Sequence, residues 1–302
     1  MTSLDPPILP FTGERFTPEC VREIWYEHMH RYAFAAAFGV GKRVLDAACG
    51  EGYGSALMAR AGARVLGVDI SDETVAHARQ RYADLSALRF EQADVTALDH
   101  LPDAGFDVIV SFETLEHVEA QERMLAGFRR LLAPGGLLLI SSPDKRTYSD
   151  LRNYHNEFHV RELYRNELEA LLHAQFPAVR VLAQKLLFQS LLWDPDGPPR
   201  VASAATLRAD ASLSPRPEYA ALYFLAICAQ HEAQLPPAGS LHLFGDADES
   251  VYRHYDDEIR RHIAAGHQLI AQQREIEDLR ARLARAEALL AEHSPDQGRN
   301  PP

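Results

Sequence analysis

The sequence predicts an α/β chain: a doubly wound, mostly parallel sheet with helices on both faces, followed by a long C-terminal helix carrying a coiled-coil seam. Three observations carry this reading. Short apolar runs alternate with helical patterns from Gly41 to Ile140, as expected of a parallel sheet with right-handed crossovers. Val44-Leu45-Asp46 leads into Gly50, Gly52 and Gly54 and then a helical pattern from Ser55 to Arg60, which reads as strand, tight turn and helix. Leu269, Ile276, Leu283 and Leu290 recur at seven-residue spacing, with Leu279 and Ala286 between them, although Gln272 interrupts the second row.

Each element follows in order. Residues 1 to 12 contain Pro6, Pro7 and Pro10 and read as an arm, and an amphipathic helical pattern from Gly13 through Phe34 completes a segment 1–40. The glycines after the first strand can take positive φ and let a ligand lie against the backbone. Ligands of open α/β sheets bind there, at the carboxyl ends of the strands. The second strand, Val65 to Ile70, ends in Asp69, 23 residues after Asp46. Phe90 to Asp94 brings another carboxylate 25 residues further on. Phe106 to Ser111 is a fourth strand, and Pro134-Gly135-Gly136 turns the chain into a fifth, Leu137 to Ile140. A helix over Leu163–Phe176, a strand over Val179–Leu187, a proline-rich loop over Asp194–Pro217 and a last strand over Tyr219–Gln230 complete a domain at 41–232. A linker at 233–249, the helix at 250–293 and a disordered tail at 294–302 follow.

Bulk composition narrows the function. At 302 residues the chain suits one main domain with an appendage. With 31 basic and 43 acidic residues its formal charge is −12, which argues against long nucleic acid as a substrate. Cys20, Cys49 and Cys228 are odd in number and widely spaced, so a reducing cytoplasm is expected rather than a disulfide framework. The N-terminus lacks the basic start and apolar run of a secretory signal, and no apolar stretch is long enough to span a membrane.

The glycine turn admits a nicotinamide dinucleotide as a rival ligand, but that fingerprint wants glycine or alanine where Ser55 stands. From about Val40 to Gln230 the ordered set of motifs resembles the class I S-adenosylmethionine-dependent methyltransferases, which have a Rossmann-like seven-stranded sheet. The resemblance implies S-adenosyl-L-methionine as cofactor. It places Gly50, Gly52 and Gly54 against the methionine part, Asp69 on the ribose hydroxyls and Asp94 at the adenine amino group, with Asp46 near the ammonium end. Ile70, Val95 and Ser111 join the same cofactor set by position. The wording "GERF … EHMHRYAFA" resembles a bacterial subgroup associated with polysaccharide and other glycan pathways. In that subgroup reading Arg15, His28, Arg31 or Tyr32 meets the cofactor carboxylate, with Arg31 favoured here because a guanidinium matches a carboxylate's two oxygens.

Catalytic groups are expected after the fourth strand, where Ser111-Phe112-Glu113-Thr114-Leu115-Glu116-His117 stands. If a helix begins at Glu113, then Glu113, Glu116 and His117 share one face at i, i+3 and i+4. With His159, just before another helix, they resemble the metal-binding quartet of ubiquinone O-methyltransferases and small-RNA 2′-O-methyltransferases. That resemblance implies a divalent ion, Mg²⁺ or Mn²⁺, beside the acceptor hydroxyl. Mixed carboxylate and imidazole ligands favour Mn²⁺, Fe²⁺ or Zn²⁺ over Mg²⁺. Without a metal, His117 or His159 is the candidate general base. Tyr148, Arg152, Tyr154 and His155 are candidates to line the acceptor pocket.

The leading expectation is an O-methyltransferase acting on a sugar, glycan-like or related small-molecule hydroxyl. Two alternatives are a metal-independent N- or C-methyltransferase of a natural product and a non-catalytic scaffold. The C-terminal seam needs a partner helix, which predicts a homo-oligomer or another protein partner.

Overall fold

The computed structural model describes residues 23–192 and 204–293. The expected arm, Arg15 and the tail from residue 294 lie outside the described residues. The chain divides into two compact units, residues 1–245 and 246–302.

In the first unit the described elements run α1 (Glu23–Gly39), β1 (Arg43–Ala47), α2 (Tyr53–Arg60), β2 (Arg64–Asp69), α3 (Asp72–Arg81), β3 (Leu88–Gln92) and β4 (Phe106–Ser111). A 3₁₀ turn at Leu115–His117 precedes α4 (Gln121–Leu131), β5 (Leu132–Pro143), α5 (Lys145–Tyr148) and α6 (Arg165–His173). Then come β6 (Ala178–Gln184), β7 (Thr206–Leu207), β8 (Leu213–Ser214) and β9 (Tyr223–Ala229). Seven strands form one sheet in the order β3-β2-β1-β4-β5-β9-β6. The pairings from β3 to β5 are parallel, and β9 enters antiparallel between β5 and β6. Strand order reverses between β1 and β4, and the crevice at that switch point is where an open sheet takes its ligand.

The strands read as near-continuous apolar runs because both faces of the sheet are covered. Leu45, Ile109 and Leu138 enter one core with Met124, Leu125 and Phe128 of α4. Their neighbours Val44, Val108 and Leu139 enter the other, with Ala35 of α1 and Met58 of α2. Phe128 is fully buried, and burial of such a side chain contributes about 1.5–3 kcal/mol. Helix α3 starts where it does because Ser71 Oγ accepts the Thr74 N–H at 3.2 Å, with Asp72 and Glu73 favourable in the first turn.

Three expectations change. The strand expected at Leu137 begins at Leu132, with an irregular register between Phe106 and Val108 where Pro134-Gly135-Gly136 passes. Part of the loop expected at 194–217 is the β7–β8 hairpin, braced by Arg208 donating to both Glu218 oxygens; residues 193–203 lie outside the described residues. The stretch read as linker also packs locally: Phe244 stacks on His30 at 5.5 Å and His242 meets Phe34 at 4.5 Å.

The second unit is α7 (Ser250–His293), one continuous helix. Leu269, Ile276, Leu279, Leu283 and Leu290 are all exposed on it. Among the described residues, no helix is long and apolar enough to cross a membrane.

Candidate active site

The glycine turn is built by three constraints that act locally. Gly50 has φ 54°, and a Cβ there would meet nothing within 4 Å, so its face is open beside the backbone. Gly52 has φ 82° and would drive a Cβ into the Phe90 ring at 2.3 Å. Gly54 would meet Tyr32 at 2.2 Å. Of the three, Gly50 leaves room for a ligand, while Gly52 and Gly54 let α2 approach Phe90 and Tyr32.

Asp69 faces this turn, accepting the N–H groups of Gly50 and Ser71 at 3.0 Å each. Ile70 beside it is exposed, Asp94 is exposed and holds Thr96 at 2.8 Å, and Val95 is buried. Asp46 is fully buried and accepts hydrogen bonds from Tyr32 at 3.1 Å and Ser55 at 2.5 Å. Burial pushes its pKa up to about 7. Ser111 is buried and its Oγ has no partner. An open Gly50 face, carboxylates along the strand ends and an orphaned Ser111 hydroxyl fit a nucleoside-bearing ligand laid across the switch point.

Beyond β4 the chain departs from the expected geometry. Glu113 has φ 50°, which a right-handed helix excludes, so no helix begins there. Its N–H donates to Ser141 Oγ at 3.0 Å, and that hydroxyl donates to Glu113 Oε1 at 2.6 Å. The expected quartet therefore resolves into a trio. Glu116, His117 and His159 each present a ligand-capable atom within 4.8 Å of the others, and Glu113 stands outside, 3.6 Å from Arg31.

Two separate segments are clamped to make this trio. The Glu116 carbonyl accepts Val160 N–H at 2.8 Å and Arg161 N–H at 3.0 Å, and Gln121 donates to the carbonyls of Leu115 and Arg161. His117 Nδ1–H donates to the Phe158 carbonyl at 2.9 Å, because a carbonyl can only accept, and this leaves the lone pair on Nε2. His159 is oriented at both nitrogens, by Glu162 on Nδ1 at 2.5 Å and by Asn156 on Nε2 at 2.9 Å. The Glu116 carboxyl is buried with Oε2 unpartnered, and desolvation, then the nearby Glu113 charge, holds its pKa well above the usual carboxylate range.

Aromatic rings wall this end of the site. Tyr148 stacks on His159 with ring centres 5.4 Å apart and also meets Tyr154 and Tyr223. Arg31 is buried, donates to Gln184 at 2.9 Å and lies over the Tyr223 ring at 5.0 Å. Of the other expected carboxylate partners, His28 is bonded to Tyr53 at 2.9 Å and Tyr32 to Asp46. Glu27 heads the EHMHRYAFA wording and Asn156 and Glu162 flank His159, yet none of the three stood out there, and Gln184 and Tyr223 lie in no sequence motif. Tyr223 opens an apolar strand and Gln184 ends one, so nothing local distinguishes them from core positions.

The strand order with its antiparallel β9, the open glycine turn and the acids at the ends of β1, β2 and β3 give a Rossmann-like, doubly wound seven-stranded sheet. Residues 45–140 match the family model described as a methyltransferase domain. Over 170 residues the chain is 40% identical to a "probable S-adenosylmethionine-dependent methyltransferase" of Mycolicibacterium smegmatis, covering 55% of this chain and 65% of that protein. A protein of the same description from Mycobacterium tuberculosis is 37% identical over 174 residues, 57% of this chain and 62% of its own. The ubiquinone biosynthesis O-methyltransferase of Psychrobacter arcticus is 37% identical over 115 residues, 37% of this chain and 44% of its own. Among solved structures, the YcgJ protein of Bacillus subtilis covers 68% of this chain and 100% of its own at 18% identity, with a TM-score of 0.47. The chain thus spans a little under two thirds of the length of the mycobacterial relatives.

Proposed function

We propose that the chain is an S-adenosylmethionine-dependent O-methyltransferase whose acceptor is a hydroxyl of a sugar, glycan-like or related small molecule. The observation that carries this reading is the Glu116–His117–His159 trio beside the end of β4, next to the switch-point crevice. Bound S-adenosylmethionine supplies the electrophilic methyl group. The chain's own residues do the rest. Asp69 holds the ribose hydroxyls of the nucleoside end, and the Gly50 turn lies against the methionine end, which Asp46 faces. His117 Nε2, with Nδ1 anchored on Phe158, takes the proton that the acceptor hydroxyl loses as its oxygen attacks. Arg31, expected from the sequence to meet the cofactor carboxylate, is assigned instead to the acceptor's remaining hydroxyls together with Tyr148 and Tyr223, because it lies over the Tyr223 ring and is bonded to Gln184.

A divalent metal fits the donor set once Asn156 releases His159 Nε2. Glu116, His117 and His159 would hold it, and the buried, unpartnered Glu116 Oε2 is the oxygen such an ion would satisfy. One carboxylate with two imidazoles suits Mn²⁺, Fe²⁺ or Zn²⁺ better than Mg²⁺, and the ion would lower the hydroxyl's pKa. The engagement of both His159 nitrogens favours the metal-free alternative, in which His117 acts as base unaided.

Titration with S-adenosylhomocysteine, with and without Mn²⁺, tests the cofactor assignment: Asp69→Ala should weaken binding by about 100-fold, because the ribose hydroxyls lose their acceptor. Intact binding in that variant would sink the assignment. In a methylation assay on sugar acceptors, His117→Ala should lower kcat by roughly 100-fold or more while leaving S-adenosylhomocysteine affinity in place. Turnover that survives chelation leaves His117 as base; turnover lost to chelation and restored by Mn²⁺ assigns the trio as a metal site.

The exposed seam of α7 supports self-association with a second copy as its partner, in parallel register. In that register Glu275 faces Arg280 of the other helix and Arg282 faces Glu287, so both flanking pairs are opposite in charge. Buried free thiols at Cys49 and Cys228 are compatible with work in the cytoplasm.

A further inference from the structure

We infer that the acceptor is an amphiphile, whose hydrocarbon portion occupies a second cavity of about 370 Å³ bounded by α1, the end of β6 and residues 240–244. The inference rests on the acceptor reading above and narrows it to a hydroxyl-bearing head joined to an apolar body. Side chains from separate segments converge on the cavity: Tyr26 and Phe34 from α1, Leu182 and Leu186 at the end of β6, and Leu241 and Phe244 from the later segment. A space of this size lined by such side chains is what small-molecule sites present.

The cavity adjoins the catalytic end through shared residues. Arg31 and Glu27 both line it, and Arg31 is also 3.6 Å from Glu113 and stacked on Tyr223. Gln184 ties the boundary together, accepting from Arg31 Nη1 and donating to the Glu27 carbonyl at 2.9 Å each. Two further nitrogens of Arg31, Nε and Nη2, are buried without an acceptor. A buried guanidinium left in that state is costly, and oxygens of a ligand head at this boundary would relieve it.

The far side of the cavity is apolar and open to solvent. Tyr219, Leu241 and Leu243 line it yet remain 43%, 43% and 59% exposed. His30 in the wall is held neutral, its pKa pushed down to about 4 by burial and then by the nearby His242. A free sugar would leave these surfaces wet. An alkyl or acyl chain attached to the sugar would cover them.

The test compares n-octyl β-D-glucoside, below its micelle-forming concentration, with methyl β-D-glucoside by calorimetric titration into the full chain. S-adenosylhomocysteine is titrated in parallel. Each buried methylene contributes roughly a factor of four in affinity, so the octyl compound should bind more than about 30-fold tighter. Ala183→Trp, at an exposed lining position, and Leu243→Asp, on the rim, should each reduce octyl binding by about 10-fold or more. Neither should move S-adenosylhomocysteine affinity by more than about two-fold, as expected of separated sites. Equal affinity for the two glucosides, or octyl binding indifferent to both substitutions, would overturn the inference while leaving S-adenosylhomocysteine binding intact. Failure of S-adenosylhomocysteine to bind the parent would instead overturn the methyltransferase reading, and the glucoside comparison would still report on the cavity.

Discussion

Asp46 is a carboxyl fully enclosed by protein, with Tyr32 and Ser55 as its hydrogen-bond donors. Its pKa of about 7 comes first from desolvation, which those two donors offset only in part. Because the folded value lies above the unfolded one, the folded state holds the proton more tightly. The stability this contributes is present below the ordinary carboxylate pKa of 3.8 and is lost as pH rises through about 7. Each pH unit of that interval corresponds to about 1.4 kcal/mol. Asp46→Asn, which carries no charge, should therefore flatten the pH profile between the two values and exceed the parent's stability at pH 8 by roughly 2 kcal/mol. Urea unfolding at several pH values reads this directly, and parallel pH profiles for the two proteins would refute it. Gly52 illustrates the opposite kind of constraint, set by shape alone. With φ 82° and Phe90 at 2.3 Å from any Cβ, Gly52→Ala should lower stability by more than about 2 kcal/mol. Unchanged unfolding of that variant would mean that Phe90 yields the space.

At the level of elements, what could be read from the sequence was what local chemistry dictates. The β1 turn was legible because glycines at alternate positions after an apolar run leave few backbone alternatives, and Gly50 and Gly52 do take positive φ. The segment after β4 was misread because the helical spacing of Glu113, Glu116 and His117 assumed right-handed φ at Glu113. The contact that holds Glu113 in the left-handed region, Ser141, comes from β5 and cannot be seen locally. Helix α7 was legible in extent, since heptad recurrence is a property of the helix itself. Its seam leads to a prediction. If α7 pairs in parallel with a second copy, the full chain sediments as a dimer and Leu283→Asp gives a monomer, since a charge at a seam position faces its own image. Arg282→Glu alone should weaken the dimer by about 0.5 kcal/mol or more for each repulsive pair, and adding Glu287→Arg should restore it. Weakening by both the single and the double variant would point to an antiparallel or different partner.

At the scale of the whole molecule, the alternation of strands and helices made the parallel half of the sheet readable, but the acceptor end depends on where β9 goes. Its antiparallel insertion between β5 and β6 brings Tyr223 beside Arg31, and Arg31 meets Gln184 across 153 residues of sequence. No local pattern encodes such a meeting, so Glu27, Gln184 and Tyr223 could not be found before the topology was known. The same topology shows where the folding unit ends. Both hydrophobic clusters, one on each face of the sheet, draw their buried members from Tyr32 through Leu235 and include none from α7. The sheet's stability therefore does not depend on burying the helix seam. A chain truncated after Gly245 should fold with its cooperative unfolding transition in place and bind S-adenosylhomocysteine within about two-fold of the full chain, while sedimenting as a monomer. If truncation abolished cofactor binding in a protein that still unfolds cooperatively, α7 would be part of the binding machinery. Function would then have to be assigned to the dimer, because the cofactor site and the seam would be thermodynamically linked.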